Sequence, residues 1–257
     1  MNNALKVITL VVGLNLILAA RAFAGPPFLT DDPEPVDYQH WEINFFSAGG
    51  HVQGETSGAA PGLEVNYGVL PEVQLHVIMP VAYDKISGGA LHYGYGDTEL
   101  GVKYRFIDPG TNDWWPQVAV FPLLEVPTGD VNKGLGATGE AREFLPIWLQ
   151  KDFGKWTTYG GGGYWNNPGD GNKNYWFVGW LLQRKITDKL TLGGELFHQT
   201  ADTIITTPTN KGSTGFNLGG TYDFNDNYHL LFSAGRGIQN AETSNLFSYY
   251  VAFQWTF

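Results

Sequence analysis

The fold predicted for this chain is all-β: a transmembrane antiparallel β-barrel of about twelve strands, of the bacterial outer-membrane type. Three observations predict it. Residues 246–257 alternate almost without error, with Phe247, Tyr249, Val251, Phe253, Trp255 and Phe257 on one parity and Ser248, Tyr250, Ala252, Gln254 and Thr256 on the other. A strand with one apolar face and one small or polar face separates two unlike media. The N-terminus has the three parts of a secretory signal, which makes those media lipid and a watery lumen. Connections between strands alternate short and long, as they do on the two sides of an outer membrane.

Residues 1–24 read as a cleaved signal peptide. Lys6 is the positive start, 7–20 is an apolar run broken only by Thr9, Gly13 and Asn15, and Ala22-Phe23-Ala24 is a small-x-small cleavage site. The run is too short and too interrupted for a spanning helix. Residues 25–37 are polar and proline-rich. They are read either as a lead-in to the first strand or as a partial plug folded into the lumen, with Phe28, Asp31, Asp32 and Glu34 against the wall. Calcium is not expected there, because Pro33 and Pro35 hold the acids on an extended chain.

Residues 38–257 are read as the barrel. Strands are expected at 38–48, 58–68, 73–83, 95–106, 116–126, 142–151, 156–165, 175–184, 190–200, 213–224, 228–236 and 246–257. Leu70-Pro71, Phe153-Gly154, Thr187-Asp188 and Asn225-Asp226-Asn227 mark short periplasmic turns, with 107–115 somewhat longer. Long outer loops are expected at 84–94, 127–141, 166–174, 201–212 and 237–245. An even count returns both termini to the periplasm. Pro80, Pro122 and Pro146 fall inside expected strands, where a closed barrel has no free edge to hide a missing donor, so bulges are expected. The run Gly160-Gly161-Gly162-Gly163 marks a bend or a close approach.

Composition closes off other classes. The chain has no cysteine, which excludes disulfides, zinc–thiolate sites and thiol nucleophiles. Its net charge is −10, and losing Lys6 and Arg21 with the leader makes the mature chain two charges more negative. That balance argues against nucleic acid, whose affinity comes from cations on phosphate. His40, His51, His76, His92 and His229 show no ligand spacing, so neither metal nor cofactor is expected.

Parity names the lumen candidates. On 97–106, Asp97, Glu99, Gly101, Lys103 and Arg105 point in while Thr98, Leu100, Val102, Tyr104 and Phe106 point out. Acid and base on this strand lie about 13 Å apart and cannot pair directly. Glu42, Glu64, Glu125 and Glu195 are the inward acids expected to supply partners. Opposed charges across a narrow lumen set ion preference, or they are ion pairs that stiffen the wall. Tyr38, Trp41, Tyr104, Trp156, Trp165, Tyr175 and Trp255 are expected in the aromatic girdles at the membrane interfaces.

At these residues the chain resembles a family of proteobacterial outer-membrane proteins catalogued as transporters or as members of a MetA pathway of phenol degradation. The matching pieces are Pro26-Pro27-Phe28-Leu29-Thr30-Asp31-Asp32-Pro33, the run from Gly94-Tyr95-Gly96-Asp97 to Tyr104-Arg105-Phe106, Pro127-Thr128-Gly129-Asp130, and the C-terminal strand. The resemblance implies an outer-membrane barrel with a transport role, in contact with lipid and lipopolysaccharide. Phe257 resembles the C-terminal signal that the barrel-assembly machinery recognises. The expected function is passive passage of a small organic solute, aromatic or apolar solutes included, through a lumen about 10 Å wide inside side chains. A closed structural or surface-binding barrel is the alternative. An outer-membrane lipolytic enzyme built on His198 and Ser213, with Asn210 or Asp202, comes third.

Overall fold

The computed structural model describes residues 27–110, 114–204 and 212–257, so the expected signal peptide at 1–24 lies outside the described residues. Fourteen strand segments follow: β1 Trp41–Val52, β2 Glu55–Leu70, β3 Val73–Ile86, β4 Leu91–Tyr95, β5 Thr98–Ile107, β6 Gln117–Val120 and β7 Leu123–Val126. Then come β8 Arg142–Phe153, β9 Trp156–Asn166, β10 Tyr175–Lys185, β11 Leu190–Gln199, β12 Ser213–Asp223, β13 Tyr228–Gln239 and β14 Phe247–Thr256.

These segments make a closed antiparallel barrel of twelve walls. β4 and β5 both pair with β3 and together form one wall. β6 and β7 both lie between β5 and β8 and form another. The ring closes where β1 pairs with β14, in a register running from Glu42 opposite Thr256 to His51 opposite Phe247. Trp41 and Phe257 exchange backbone hydrogen bonds of 2.8 and 3.1 Å at the end of that seam, so the two ends of the barrel sequence finish together. Closure gives each of the twelve walls two neighbours, as a sheet in lipid requires.

The alternation explains the wall. Phe45, Leu100, Val102, Trp176, Val178, Trp180, Leu182, Leu196, Leu218 and Phe253 stand exposed on the outer surface. In water that belt would be far larger than a soluble monomer tolerates; in lipid it is the solvated face. Among the described residues no helix is long and apolar enough to cross a membrane, and the strands make the crossing.

The three prolines sit at linked breaks. Pro80 on β3 faces the gap between β4 and β5, and its carbonyl accepts from Gly96 N at 3.0 Å. Pro122 lies in the gap between β6 and β7, its carbonyl accepting from Val102 N at 3.2 Å. Pro146 on β8 lies opposite that gap. Each missing donor therefore falls where the ladder is already interrupted, and the inward parity of Ala119, Phe121, Leu123 and Glu125 continues across the break.

Some expectations need correcting. Residues 84–94 are not an outer loop throughout: β3 runs on to Ile86 and pairs with β4. Residues 237–245 contain the end of β13 and a one-turn helix, Ala241–Ser244. Trp165 and Tyr175 are not girdle residues. Both are buried inside the barrel, stacked on each other with ring centroids 5.9 Å apart. The glycine run lies against neighbouring strands: a Cβ on Gly160 would overlap the outward Trp180 ring, and Gly161 has φ +149°.

Candidate functional site

Residues 27–37 lie inside the barrel and join no strand ladder. At the periplasmic end, Gln74 Oε1 accepts from Val36 N at 2.8 Å, and Gln117 and Gln150 donate to Glu34 Oε1 at 2.8 and 2.7 Å. One step further in, Lys103 Nζ reaches Asp31 at 3.1 Å, Asp32 at 3.5 Å and the Glu34 carbonyl at 3.3 Å. Deeper still, the Glu195 carboxylate accepts from Leu29 N at 2.9 Å and Thr30 N at 2.8 Å. Ser233 donates to the Pro27 carbonyl. Gly179 provides clearance, since a Cβ there would overlap the Thr30 hydroxyl. Phe28 is buried with Tyr159 and Leu181, and Leu29 with the aromatic cluster on β7 to β11.

The electrostatics of this hold are one-sided. Asp31 is 0% exposed. Burial pushes its carboxyl up to about 6, against the pull of Lys103. At neutral pH it is still ionised and paired, and breaking one side of such a buried pair costs about 3–5 kcal/mol.

The other lumen candidates are all inward but pair differently from expectation. Neither Lys103 nor Arg105 uses Glu42, Glu64, Glu125 or Glu195. Arg105 reaches Glu72 at 2.6 Å and Asp108 at 3.2 Å, both next to periplasmic turns, and donates to Gln117 at 2.7 Å. Glu125 pairs with Arg142 at 3.2 Å, and Arg142 also donates to the Tyr175 hydroxyl and lies 4.6 Å from the Trp165 ring centroid. Asp97 is engaged by a loop: its two oxygens accept from Gly129 N and Ala137 N and hold the 127–141 loop inward. Leu135 and Ala137 of that loop are buried.

Sequence reading missed Arg142 and His76. Inward parity on 142–151 was the available signal for Arg142. His76 carried no signal because its partners come from β2 and β5. Asn66 Nδ2 donates to Glu42 at 3.1 Å and Glu64 at 2.9 Å, which turns its oxygen to His76 Nδ1 at 2.7 Å. His76 Nε2 lies 3.0 Å from Glu99 Oε1. Because the Asn66 oxygen must accept, Nδ1 donates, and a second proton is shared along the bond to Glu99. The His76–Glu99 pair is neutral overall wherever that proton sits.

Above residues 27–29 lies a cavity of about 90 Å³ in the outer half of the barrel. Pro27, Phe28 and Leu29 form its floor, Phe46, Ala59 and Ile78 an apolar wall, and Asp97, Glu99 and Glu125 an acidic one. Among the described residues no group of three or more His, Asp and Glu side chains could hold a metal ion. His198 and Ser213 do not approach as nucleophile and base: His198 points out, 2.9 Å from Thr214 Oγ1, while Ser213 is buried on the inward parity. Asn210 lies outside the described residues.

The same barrel is seen in proteins of distant sequence. The COG4313 outer membrane channel from Pseudomonas putida F1 superposes with a TM-score of 0.69 at 16% identity, covering 88% of this chain and 98% of that one. The NanC porin gives 0.56 at 10% identity, covering 83% and 98%. The KdgM porin, solved with disordered oligogalacturonate, gives 0.53 at 10% identity, covering 84% and 99%. No curated protein matches the chain. These likenesses fix an outer-membrane type of barrel. Over residues 45–255 the chain matches, and so belongs to, the family described as "Putative MetA-pathway of phenol degradation".

Proposed function

We propose that this barrel is a passive outer-membrane channel for a small organic solute, with residues 27–37 as a displaceable constriction. One observation carries the reading. The segment that narrows the lumen is held by side-chain hydrogen bonds and one ion-pair cluster, not by strand pairing. Such a hold can let go without opening the wall. The outer cavity supports it, since a solute entering from outside meets an apolar pocket before it meets the constriction. The barrel-like relatives are channels and porins, which agrees with transport and with contact to outer-membrane lipid. Recognition of Phe257 by the assembly machinery is part of the same proposal.

Deleting residues 27–36 and recording single channels in planar bilayers tests it. Conductance should rise several-fold over the full barrel. Equal conductance before and after deletion would mean that the segment does not narrow the path. No conductance in either form would make the barrel a closed scaffold.

A further inference from the structure

We infer that the periplasmic end of β8 to β10 is a binding site for one anionic phospholipid of the phosphatidylglycerol class, seated by Lys151 and Arg184. The inference rests on the wall's contact with lipid and not on whether the lumen conducts. Strand parity carries the first step. Lys151 on β8 lies opposite Thr158 on β9, and Arg184 on β10 lies opposite Trp156, so both cations share the outward face with that girdle residue. Among the described residues they are the only charged side chains on the outward parity in the periplasmic half of the wall. Two strand spacings and a two-residue offset put their Cα atoms about 12 Å apart. A single cation at this depth is an ordinary interfacial anchor. Two long cations flanking one strand make a place for one phosphate.

The second observation is how Arg184 is held. Its guanidinium lies 5.2 Å from the Trp156 ring centroid, and no carboxylate of the described residues pairs with it. Stacking fixes the group and leaves its in-plane N–H fork turned to the oxygens of a phosphate. Lys151 Nζ donates to the Trp115 carbonyl at 3.2 Å, which keeps it beside the aromatic belt.

The charge of the rim selects the headgroup. The two turns beside this face add Lys155, Lys185 and Lys189, with Asp188 near Lys185 at 3.9 Å. Asp152 is on the lumen parity, where Gln150 and Thr157 donate to it. Elsewhere on the same rim the charged turn residues include the acids Glu72, Asp108, Asp223 and Asp226, and Arg105 is turned inward onto Glu72 and Asp108. An anionic headgroup is therefore drawn to this sector and repelled from the rest. The ammonium of a zwitterionic lipid would face like charge. A soluble acidic protein could meet the turn lysines, but Lys151 stands two residues above Phe153, inside the belt that lipid covers. Lipopolysaccharide carries phosphates in the opposite leaflet. Above the two cations, Trp180 lies over Gly160 and donates through Nε1 to Thr158 at 2.8 Å. The outward face of β9 is thus a low strip with its polar groups satisfied, bordered by Leu149 and Leu182, along which an acyl chain can lie.

The test is native mass spectrometry of the full mature barrel from micelles holding equal amounts of phosphatidylglycerol and phosphatidylethanolamine at low ionic strength. One phosphatidylglycerol should be retained with about tenfold or greater preference, since each cation near an anionic headgroup contributes about fivefold. In Lys151→Gln, Arg184→Gln the preference should fall to within about threefold. Lys85→Gln, Arg236→Gln, which removes two exposed cations at the opposite end of the barrel, should keep it. Soluble glycerophosphate should not displace the lipid. Should the first variant fail to fold, Arg184→Gln alone decides, with an expected loss of about fivefold. A preference untouched by the first variant, one lost in the second, or displacement by glycerophosphate would overturn the inference. Equal retention of the two lipids sinks the site alone, whereas retention of neither sinks it together with the lipid contact beneath it.

Discussion

The two sides of the lumen are built on different physics. On β7 to β11, Leu123, Phe144, Trp148, Trp165, Tyr175, Phe177 and Phe197 pack into a continuous cluster, with Phe144 and Trp165 stacked 4.8 Å apart. On β1 to β5, beside the apolar Phe46, Ala48, Ala59 and Ile78, the inward Glu42, Asn44, Glu64, Asn66, His76 and Glu99 are joined by hydrogen bonds, and Gln74 and Lys103 turn to the inner segment. Ring packing is tolerant of small displacements and independent of pH. A buried polar network is the reverse, since each member depends on its partner. The inner segment bridges the two, with Leu29 in the aromatic cluster and Asp31 on Lys103. The difference assigns stability to one side and adjustable hold to the other.

That division breaks if the two sides respond alike. Trp148→Ala, at a residue 0% exposed, should cost about 3–5 kcal/mol of barrel stability in urea unfolding from lipid vesicles. Lys103→Met should leave the barrel folded but loosen the segment by about 2–3 kcal/mol, because release spares Asp31 from staying buried alone. The readout is hydrogen exchange at the amides of Leu29, Thr30 and Val36, whose protection should fall by roughly 30- to 150-fold. Glu195→Gln keeps one acceptor oxygen for three donors, the Leu29 and Thr30 amides and Asn217 Nδ2, and should cost about 1–2 kcal/mol at Leu29 and Thr30 with little change at Val36. In Glu195→Gln, a loss at Val36 as large as that at Leu29 and Thr30 would contradict a hold made of separate contacts.

The smallest effect is with pH. The buried Asp31 carboxyl, raised to about 6, binds a proton more tightly docked than free. Its contribution to docking is fully present below about pH 4 and is lost as pH rises through about 6. Channels should therefore be more closed at pH 5 than at pH 7.5, and Asp31→Asn should shrink that difference, with the remainder carried by Glu34, whose carboxyl burial also raises.

Most of the wall was legible because period-2 alternation is a local signal, and strands such as 156–165 and 175–184 differ from the observed β9 and β10 by one residue. Even the troublesome Pro122 pointed to a real break. The partners of Arg142, His76 and Lys103 were not legible. The Lys103–Asp31 and Glu195–Thr30 contacts join residues 72 and 165 positions apart, and nothing in either neighbourhood encodes the other. Leu135 and Ala137 fooled composition: a glycine-rich stretch reads as open loop, yet two backbone amides to Asp97 fold it inward. Trp165 and Tyr175 sat at strand ends, and end position alone does not say which face a ring takes.

The chain has no cysteine, so the hold of the inner segment can be put under direct redox control. Thr30 Cβ lies 3.2 Å from where a Cβ on Gly179 would stand, close to the range a disulfide needs. Single-channel records of the Thr30→Cys, Gly179→Cys barrel should show no openings toward the level of the 27–36 deletion while oxidised, and such openings should appear when reductant is added. Identical opening frequency in both redox states, with the bond verified by mass, would contradict a channel whose width this segment sets.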